Sequence, residues 1–391
     1  MGEHSVVETS TVIVGASAAG LASAACLKRS GVDYILLEHG AQVAARWREH
    51  YDRLHLHTNR GLSGLPYRPM PKDFPRYPSR DQVVAYLEAY AEKLELAPRF
   101  GQEAISVEPA DGCWITHTQD ASYRSRYVVI ATGYTRRTHM PSFPGMDAFQ
   151  GAILHSRGYR HGSAYKGQSV LVVGFGNSGG EIAIDLFEQG VRPALAVRGA
   201  VNVIPREILG IPVLAIAVYA PRFPPAVADF LFAPLVSLTV GEITTLGLRT
   251  LPYGPQQQIA RDQRVPLLDV GTIAHIRRGH ITVYPGITRF SEAGVVFEDG
   301  RELAVDTVIM ATGYRAALHD FLPAAGCVTD PSGRPLVSGR VSALPGLFFC
   351  GFHVVPTGML REIGIEARQI ATAIAGGRHT PTGWIRRRMG F

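Results

Sequence analysis

The stretch that decides the fold is TVIVGASAAGLASAACLKRSGVDYILLEHG, residues 11–40. Two apolar runs flank a turn that begins and ends in glycine and an alanine-rich segment that follows it. This order predicts two strands joined by a turn and a helix, at 11–14, 15–20, 21–30 and 34–37. A β-α-β unit with glycines in its turn is typical of dinucleotide-binding folds.

The turn of this unit contains the three positions at which a dinucleotide fingerprint places glycine. Gly15 and Gly20 fill the outer two, where the backbone turns tightly and where the helix packs closely on the strand. Ser17 fills the middle position, and its hydroxyl can donate to a phosphate oxygen. The second strand ends at Glu38, whose carboxylate can accept hydrogen bonds from ribose hydroxyls. We therefore predict a dinucleotide site here and assign it to FAD.

A second unit of the same kind is SVLVVGFGNSGGEIAIDLFEQGVRPALAVRG, residues 169–199. All three of its fingerprint positions are glycine, namely Gly174, Gly176 and Gly179. Its second strand ends at Arg198, and a guanidinium can bind a 2′-phosphate in bidentate fashion where a carboxylate would repel it. The unit predicts an NADPH site. The alternative is that Arg198 is a solvated charge at a strand end.

The tetrapeptide Ala-Thr-Gly-Tyr occurs twice, each time after an apolar strand, within 127–137 and 306–316. Gly133 and Gly313 would let the chain turn past a dinucleotide without an obstructing side chain, and each repeat is interpreted as a crossover between domains. The chain is thus predicted to be an α/β protein with two Rossmann-like domains, an NADPH domain inserted into a discontinuous FAD domain. The predicted limits are 1–164 and 296–391 for the FAD domain and 165–295 for the NADPH domain.

The segment 344–377 closes the chain and predicts a strand at 346–350, then Gly351, then a helix from about Met359 to Ala375. The N-terminus of that helix would carry partial positive charge toward the strand tips, where it would stabilise the negative charge of a reduced flavin. The alternative is a helix that only packs against the sheet.

The composition excludes several classes of function. The 391 residues are 46% hydrophobic and carry a net charge of +6 on scattered arginines, without the basic helix or stacking aromatics of a nucleic-acid module. This predicts anionic small-molecule cofactors and no nucleic-acid partner. The polar N-terminus is not a signal peptide, and the four cysteines are too widely spaced for a redox pair. Both features predict a cytoplasmic protein with reduced thiols.

Two histidines alternate in the segment LHLHTN, so His55 and His57 would face the same side of a strand. No third metal ligand stands nearby, so no metal site is predicted. One of the two, assigned as His57, is expected near the edge of the flavin.

The most apolar region, 208–240, is interrupted by five prolines and by charges. A spanning helix needs about 20 uninterrupted apolar residues, so no transmembrane segment is predicted. The region is interpreted as a wall or lid of the substrate pocket, with ordinary core packing as the alternative. The sequence leaves open a peripheral contact of this region with a membrane and the formation of a homodimer by the chain.

The connector FQGAILHSRGYR, residues 149–160, places Phe149, Gly151, His155 and Tyr159 at short intervals. This spacing resembles the Phe-x-Gly-x-x-x-His fingerprint of the class B flavin-containing monooxygenases. Baeyer–Villiger members of that class continue it with Trp and then Pro or Asp, whereas this chain has Tyr-Arg. The connector is expected to lead from the FAD domain into the NADPH domain, with His155 and Tyr159 near the junction.

Other stretches resemble the YUCCA-type members of this class, which act on indole-3-pyruvate. They are the segment 51–91 that follows Arg46 and Trp47, and the segments 201–212 and 246–281. The resemblance covers about residues 10 to 375. It implies FAD contacts at Gly15, Ser17, Gly20, Glu38 and Trp47, and NADPH contacts at Gly174, Gly176, Asn177, Ser178 and Arg198. The predicted cofactor-binding set also includes Ala18, Arg46, His57, Thr58, Ala131, Thr132, Gly133, Gly151, His155, Gly179, Gly313 and Gly351.

One residue departs from the YUCCA-type pattern. Asn59 falls where heteroatom-oxidising members of the class carry an active-site Asn, and YUCCA-type members usually have a different residue there. Asn59 is therefore predicted as a catalytic hydrogen-bond partner of the oxygenated flavin, with a plain turn residue as the alternative. The substrate stays open between a 2-oxo acid, which would be oxidatively decarboxylated, and an amine or sulfide.

The resemblance also implies a reaction. NADPH would reduce FAD, O2 would add to give a C4a-(hydro)peroxyflavin, and one oxygen atom would pass to a small organic substrate. The cycle needs no acid/base dyad. The alternatives from other classes are an NADPH:acceptor flavoprotein reductase and a flavin redox sensor without turnover.

Overall fold

The computed structural model describes residues 6–218 and 223–377. Its strands are β1 (Val6–Val14), β2 (Tyr34–Leu37), β3 (Ser106–Ala110), β4 (Cys113–His117), β5 (Ser122–Ile130), β6 (Arg137–Thr138), β7 (Ala152–His155), β8 (Ser169–Val173), β9 (Arg192–Ala196), β10 (Val203–Pro205), β11 (Glu207–Ile208), β12 (Ile211–Pro212), β13 (Leu267–Asp269), β14 (Thr282–Tyr284), β15 (Ile287–Ser291), β16 (Gly294–Phe297), β17 (Glu302–Ala304), β18 (Thr307–Met310), β19 (Tyr314–Arg315) and β20 (Leu347–Phe349). Its helices are α1 (Ala18–Arg29), α2 (Ala45–Arg48), α3 (Arg80–Lys93), α4 (Asn177–Glu188), α5 (Val213–Ala217), α6 (Pro225–Val240), α7 (Pro255–Asp262), α8 (Thr272–Arg277) and α9 (Met359–Ala375).

The first sheet has the order β2-β1-β5-β4-β3, and β20 also pairs with β5. One edge of β5 is shared, because β4 pairs antiparallel with its first half and β20 pairs parallel with its second half. Alternate strand residues face opposite sides, so Ile13 and Val129 pack under α1 and α9 while Val12 and Val128 face the other core. The alanines of α1 let α9 approach closely, and α1 is buried throughout from Ala18 to Leu27.

The second sheet consists of the parallel strands β14-β9-β8-β18-β7. The chain leaves the first sheet after β5 and returns to it at β20, which confirms the predicted insertion of one Rossmann-like domain into another. β7 and β18 belong to the second sheet, although both lie outside the limits 165–295 predicted for the inserted domain. An apolar strand does not reveal from its own sequence which sheet it joins, and this is why the predicted limits are too narrow for the sheet.

The two Ala-Thr-Gly-Tyr repeats hold equivalent places. β5 precedes the first repeat and lies beside β1, and β18 precedes the second and lies beside β8. Gly15 and Gly174 have φ values of +104° and +110°, and a Cβ would lie 2.9 Å from the carbonyl oxygen of Ala131 and 2.6 Å from that of Ala311. Glycine is required at both turns because a repeat packs against each of them. The strands that follow, β6 and β19, pair antiparallel, so the two predicted crossovers run side by side.

Within region 208–240, residues 219–222 lie outside the described part of the chain. The remainder forms the hairpin end at β12, α5 and α6. Ala228 and Val240 are the buried residues of α6, and Phe230 and Leu238 are 79% and 83% exposed. Ordinary core packing therefore does not describe α6. Within 6–218 and 223–377, no helix is long and apolar enough to cross a membrane.

Candidate functional site

A cavity of about 230 Å³ lies where β1, β2 and β5 end, and Gly15, Ser17 and Glu38 are among the residues that line it. Glu38 is 6% exposed. Its carboxylate accepts hydrogen bonds from the backbone N–H groups of Ala16 (2.6 Å) and Gly40 (2.9 Å). These bonds place a carboxylate beside the glycine turn, as the sequence predicts.

The charge of Glu38 is stabilised despite its burial. Burial alone would raise the pKa of this carboxyl, but hydrogen bonds from His39, Ala16 and Gly40 lower it below the ordinary value. His39 Nδ1 lies 2.8 Å from Glu38 Oε1. An ionised carboxylate at this point is an acceptor, as a ribose diol requires.

A second cavity, of about 420 Å³, continues from the first. The two cavities share the lining residues Ser17, Arg46, Ala131 and Thr132. Trp47, His57 and Thr58 line the second cavity from one side, and Asn177 of the second sheet's domain lines it from another. We call it the cofactor cavity. Together the two cavities, which we call the channel, extend from Glu38 to Asn177 of the second sheet's domain, so residues of both glycine-turn units line them.

α9 begins at the cofactor cavity, which Gly358 and Met359 line. The predicted helix from Met359 to Ala375 is confirmed. Gly358 has a φ of +99°, and a Cβ there would lie 2.3 Å from Cγ2 of Thr58, so only glycine lets the helix begin this close to the segment opposite. The partial positive charge of the helix N-terminus therefore lies at the cavity.

The end of β20 is held to α9 by a buried carboxyl. The backbone N–H of Gly351, which lines the cofactor cavity, donates to Oε2 of Glu366 at 2.6 Å, and the Ser338 hydroxyl donates to the same oxygen at 2.8 Å. Burial raises the pKa of Glu366 above its ordinary value, and these two bonds only partly offset that effect. The cavity wall at Gly351 is thus fixed by hydrogen bonds from within the protein.

Two polar atoms at the cofactor cavity are buried and have no hydrogen-bond partner among the described residues, Nδ1 of His57 and Oγ1 of Thr132. Buried polar groups are normally paired, so a ligand in the cavity would satisfy them. With the glycine turn at Gly15 and the carboxylate of Glu38, these atoms fit a bound flavin dinucleotide.

The turn of the second unit is closely packed except at its middle glycine. A Cβ at Gly179 would lie 2.1 Å from the carbonyl oxygen of Gly174, whereas no atom lies within 4 Å of a Cβ built at Gly176. The open space at Gly176 is where a pyrophosphate approaches the backbone in this kind of unit. Asn177 is held in place, because its Oδ1 accepts a hydrogen bond from the backbone N–H of Leu268 at 2.9 Å.

Arg198 is exposed directly after β9, where a 2′-phosphate site is expected. Arg249, which the sequence did not suggest, donates from its guanidinium to the carbonyl oxygen of Arg198. Two arginines therefore lie together at the end of β9. The Glu298 carboxylate also lies near the Arg198 side chain, and the 2′-phosphate role of Arg198 stays a prediction.

α4 carries a row of polar side chains that segment 51–57 and the connector bind. They are spaced three, four and three residues apart, so they lie on one face of the helix. The contacts are Ser178 to Tyr51, Glu181 to His57 (2.9 Å), Asp185 to Tyr159, and Glu188 to Arg53 (2.8 Å). The row joins the first domain to the helix that begins at the second nucleotide turn.

The two tyrosines that contact this row, Tyr51 and Tyr159, are deeply buried. Burial raises the pKa of Tyr51 well above its ordinary value, and burial together with the bond to Asp185 does the same for Tyr159. Both hydroxyls therefore stay protonated at neutral pH and act as hydrogen-bonding groups.

The connector residues make contacts within the protein. A Cβ at Gly151 would lie 2.4 Å from the ring of Phe149 and 2.5 Å from the backbone carbonyl oxygen of Asp306, the residue before β18. Nε2 of His155 lies 2.9 Å from the carbonyl oxygen of Gly313, which joins the connector to the second repeat. Gly151 and His155 line neither of the two channel cavities, so their predicted contact with cofactor stays a prediction.

Asn59 lies next to Thr58 but is not among the residues that line the cofactor cavity. Its Oδ1 accepts a hydrogen bond from the backbone N–H of Leu62 at 3.1 Å and caps the short turn Arg60–Leu62. This contact is the one expected of a turn residue, the alternative given above. Its amide N–H₂ group is not used in that contact, and its catalytic role stays a prediction.

Sequence reasoning missed His50, which lines the cofactor cavity. Burial, together with the charges of Arg157, Arg160 and Arg80, lowers its pKa to about 4 although Glu49 opposes the shift. The side chain is therefore a neutral imidazole at neutral pH. No local sequence pattern marks it, because the arginines come from distant parts of the chain.

A family model described as FMO-like, flavin-binding monooxygenase-like, matches residues 9–325. The chain is similar to the indole-3-pyruvate monooxygenase YUCCA1 of Oryza sativa subsp. japonica, with 41% identity over 81% of this chain and 79% of that protein. It is similar to the probable indole-3-pyruvate monooxygenase YUCCA4 of Arabidopsis thaliana, with 38% identity over 80% of this chain and 77% of that protein.

The fold is similar to that of a solved flavin-containing monooxygenase from Stenotrophomonas maltophilia. The TM-score is 0.73, and the match covers 95% of this chain and all of the other at 23% identity. At that identity the likeness establishes the fold alone.

Proposed function

This chain belongs to the flavin-binding monooxygenase-like family and is a flavoprotein monooxygenase, and we propose that it uses FAD and NADPH to decarboxylate a 2-oxo acid such as indole-3-pyruvate oxidatively. The observation that carries the cofactor part of the proposal is the channel from Glu38 to the cofactor cavity, with the second glycine turn beside it. The substrate part is supported by the activity for which the most similar relatives are named.

Different residues along the channel would contact different parts of FAD. The Glu38 carboxylate would accept hydrogen bonds from the ribose hydroxyls. The turn at Gly15 and Ser17, together with Arg46, would bind the pyrophosphate. The ring system would lie in the cofactor cavity, where the N-terminus of α9 stabilises negative charge and His57 offers a free ring nitrogen. The flavin supplies hydride acceptance and oxygen activation, and the cavity residues orient it and keep water away.

For NADPH, the space at Gly176 would admit the pyrophosphate. Arg198 and Arg249 would supply the positive charge that binds a 2′-phosphate. The α4 row then joins this turn to segment 51–57, which lines the cofactor cavity through His57. NADPH binding at one end of α4 would thereby fix the wall of the flavin site. A neutral His50 and the amide of Asn59 complete the set of hydrogen-bonding groups proposed near the reacting centre.

The test is a steady-state assay on the FAD-loaded protein with NADPH or NADH, and with indole-3-pyruvate, an amine or a thioether. The proposal expects NADPH to be preferred and the 2-oxo acid to be consumed one-for-one with NADPH. Oxidation of the amine or thioether alone would favour the N- or S-oxygenating alternative. NADPH oxidation that needs an added electron acceptor would instead identify a reductase.

We further propose a cytoplasmic location, which the four free cysteines support. A homodimer stays a prediction, and sedimentation analysis of the FAD-loaded protein measures it.

A further inference from the structure

One carboxylate beside the channel is shared by two arginines from different parts of the chain. Oε2 of Glu49 accepts a hydrogen bond from Nη1 of Arg46 at 2.8 Å, and Nε of Arg157 lies 3.3 Å from the same oxygen. Among the residues that the structure describes, Glu49 is the acidic partner of both guanidinium groups. The three side chains, which we call the Glu49 cluster, therefore carry two positive charges and one negative charge.

Arg46 is the member of the Glu49 cluster that reaches the channel. It lines both cavities, as does Ser17 of the first glycine turn. Glu49 and Arg157 line neither cavity. These two residues can therefore influence a ligand in the channel through the residues that they hold, and not by contact with the ligand.

The position of Arg157 is fixed by contacts at the junction of the two domains. Its backbone N–H donates to Nδ1 of His155 at 3.1 Å, and Nη2 donates to the carbonyl oxygen of Thr135 at 2.6 Å. The guanidinium carbon lies 5.5 Å from the centre of the Tyr314 ring. Thr135 directly follows the first Ala-Thr-Gly-Tyr repeat and Tyr314 ends the second. The connector therefore presents a fixed guanidinium to Glu49.

The charge that Arg46 presents to the channel depends on how the Glu49 carboxylate is shared. A guanidinium paired with its own carboxylate forms a unit without net charge, and such a unit attracts an anion weakly. A second guanidinium at the same carboxylate oxygen leaves the cluster with one positive charge in excess. Arg157 thus offsets the carboxylate that would otherwise neutralise Arg46.

We propose that Arg157 of the connector is a positioning residue for FAD, which holds the Glu49 carboxylate so that Arg46 keeps its positive charge toward the diphosphate of the cofactor. This inference rests on the FAD part of the proposed function. It makes the affinity for FAD depend on a residue at the domain junction that does not line the channel.

The test compares Arg157→Gln, Glu49→Gln and the double variant with the wild type. Each FAD-loaded protein is diluted in steps, free FAD is separated by ultrafiltration, and its absorbance gives Kd. Arg157→Gln should raise Kd for FAD by about tenfold, because Glu49 then neutralises Arg46. Adding Glu49→Gln removes the carboxylate, so the double variant should return to within about threefold of the wild type. Damage to packing alone would instead accumulate in the double variant.

Two further variants test the route and the effect of net charge. In an Arg46→Gln background, Arg157→Gln should change Kd by less than about twofold, because the charge that it preserves is already gone. Arg289→Gln removes an exposed arginine that pairs with Glu302 away from the channel, so it changes the net charge equally. Its Kd should stay within about twofold of the wild type. Arg157→Met repeats the series should Arg157→Gln fold poorly.

The outcomes separate this inference from the proposed function. A double variant that binds FAD more weakly than Arg157→Gln, or an Arg157→Gln effect of the same size with and without Arg46, would overturn the role of Arg157. A wild type that binds FAD but oxidises no 2-oxo acid contradicts the proposed substrate, while the series of Kd values still decides this role. A wild type that binds no FAD contradicts both.

Discussion

Replacing His57 by alanine should destabilise the chain, because the substitution leaves the Glu181 carboxylate buried without the basic side chain that contacts it. Glu181 is 3% exposed, and its Oε1 lies 2.9 Å from Nε2 of His57. Removing the basic partner of a buried carboxylate costs about 3–5 kcal/mol when the remaining charge is uncompensated, and because Arg53 also interacts electrostatically with Glu181 we expect a cost at the lower end, about 3 kcal/mol. A second substitution, Glu181→Gln, removes that charge and should restore about 1–2 kcal/mol. The double variant is therefore expected to be more stable than His57→Ala alone.

The assay is the midpoint of thermal unfolding, Tm, for the wild type, both single variants and the double variant at one FAD concentration. A cost of about 3 kcal/mol lowers Tm by roughly 4 °C when 391 residues unfold together, because the entropy of unfolding is about 2.1 cal/mol/K per residue. Arg289→Ala is the control, because Arg289 pairs with Glu302 away from α4 and the two side chains are 51% and 69% exposed. This exposed pair should contribute less than about 1 kcal/mol. Additive losses in the double variant would refute the reasoning.

Three further predictions concern pH, cofactor choice and coupling. The pKa of His50 is lowered to about 4, so the folded chain holds it neutral, and its contribution is complete above pH 6.5 and is lost as pH falls toward 4. His50→Gln should therefore reduce the fall in the free energy of unfolding across that window by up to about 3 kcal/mol, and an unchanged pH profile of Tm would count against the burial of this imidazole. Arg198→Glu should lower kcat/KM for NADPH by about tenfold to a hundredfold without lowering that for NADH; equal losses would remove the 2′-phosphate role. Asn59→Ala should speed NADPH oxidation relative to product formation and release H2O2, and Asn59→Asp, which keeps the oxygen that accepts from Leu62, should do the same if the amide donor matters. Full coupling in both variants would leave Asn59 with only its turn role.

The local units were predictable from the sequence because neighbouring residues determine them. The strand at 34–37 and the helix Met359–Ala375 have the predicted bounds, and Glu38 lies beside the turn at Gly15 as the fingerprint requires. In each case the hydrophobic period and the glycine positions specify backbone geometry within one short segment. The insertion of one domain in the other followed from the repeats, which mark equivalent strands.

Long-range pairing was not predictable. Three of the four side chains of the row on α4 contact residues about 130 positions away, and the polar side chains of this helix by themselves predict a solvated helix face. α6 is apolar along most of its length, so no helical period shows which of its faces is buried. The capping contact of Asn59 depends on Leu62 three residues later, and a turn was open as an alternative because asparagine favours such contacts.

The most direct test of the central claim is the oxidation of indole-3-pyruvate by the FAD-loaded protein with NADPH under ¹⁸O₂. One NADPH and one O2 should be consumed for each substrate, with release of CO2 and water and one ¹⁸O atom in the carboxylate of indole-3-acetate. That result would establish both the oxygenase chemistry and the 2-oxo acid substrate. NADPH consumption that yields only H2O2, or a product without ¹⁸O, would contradict the account.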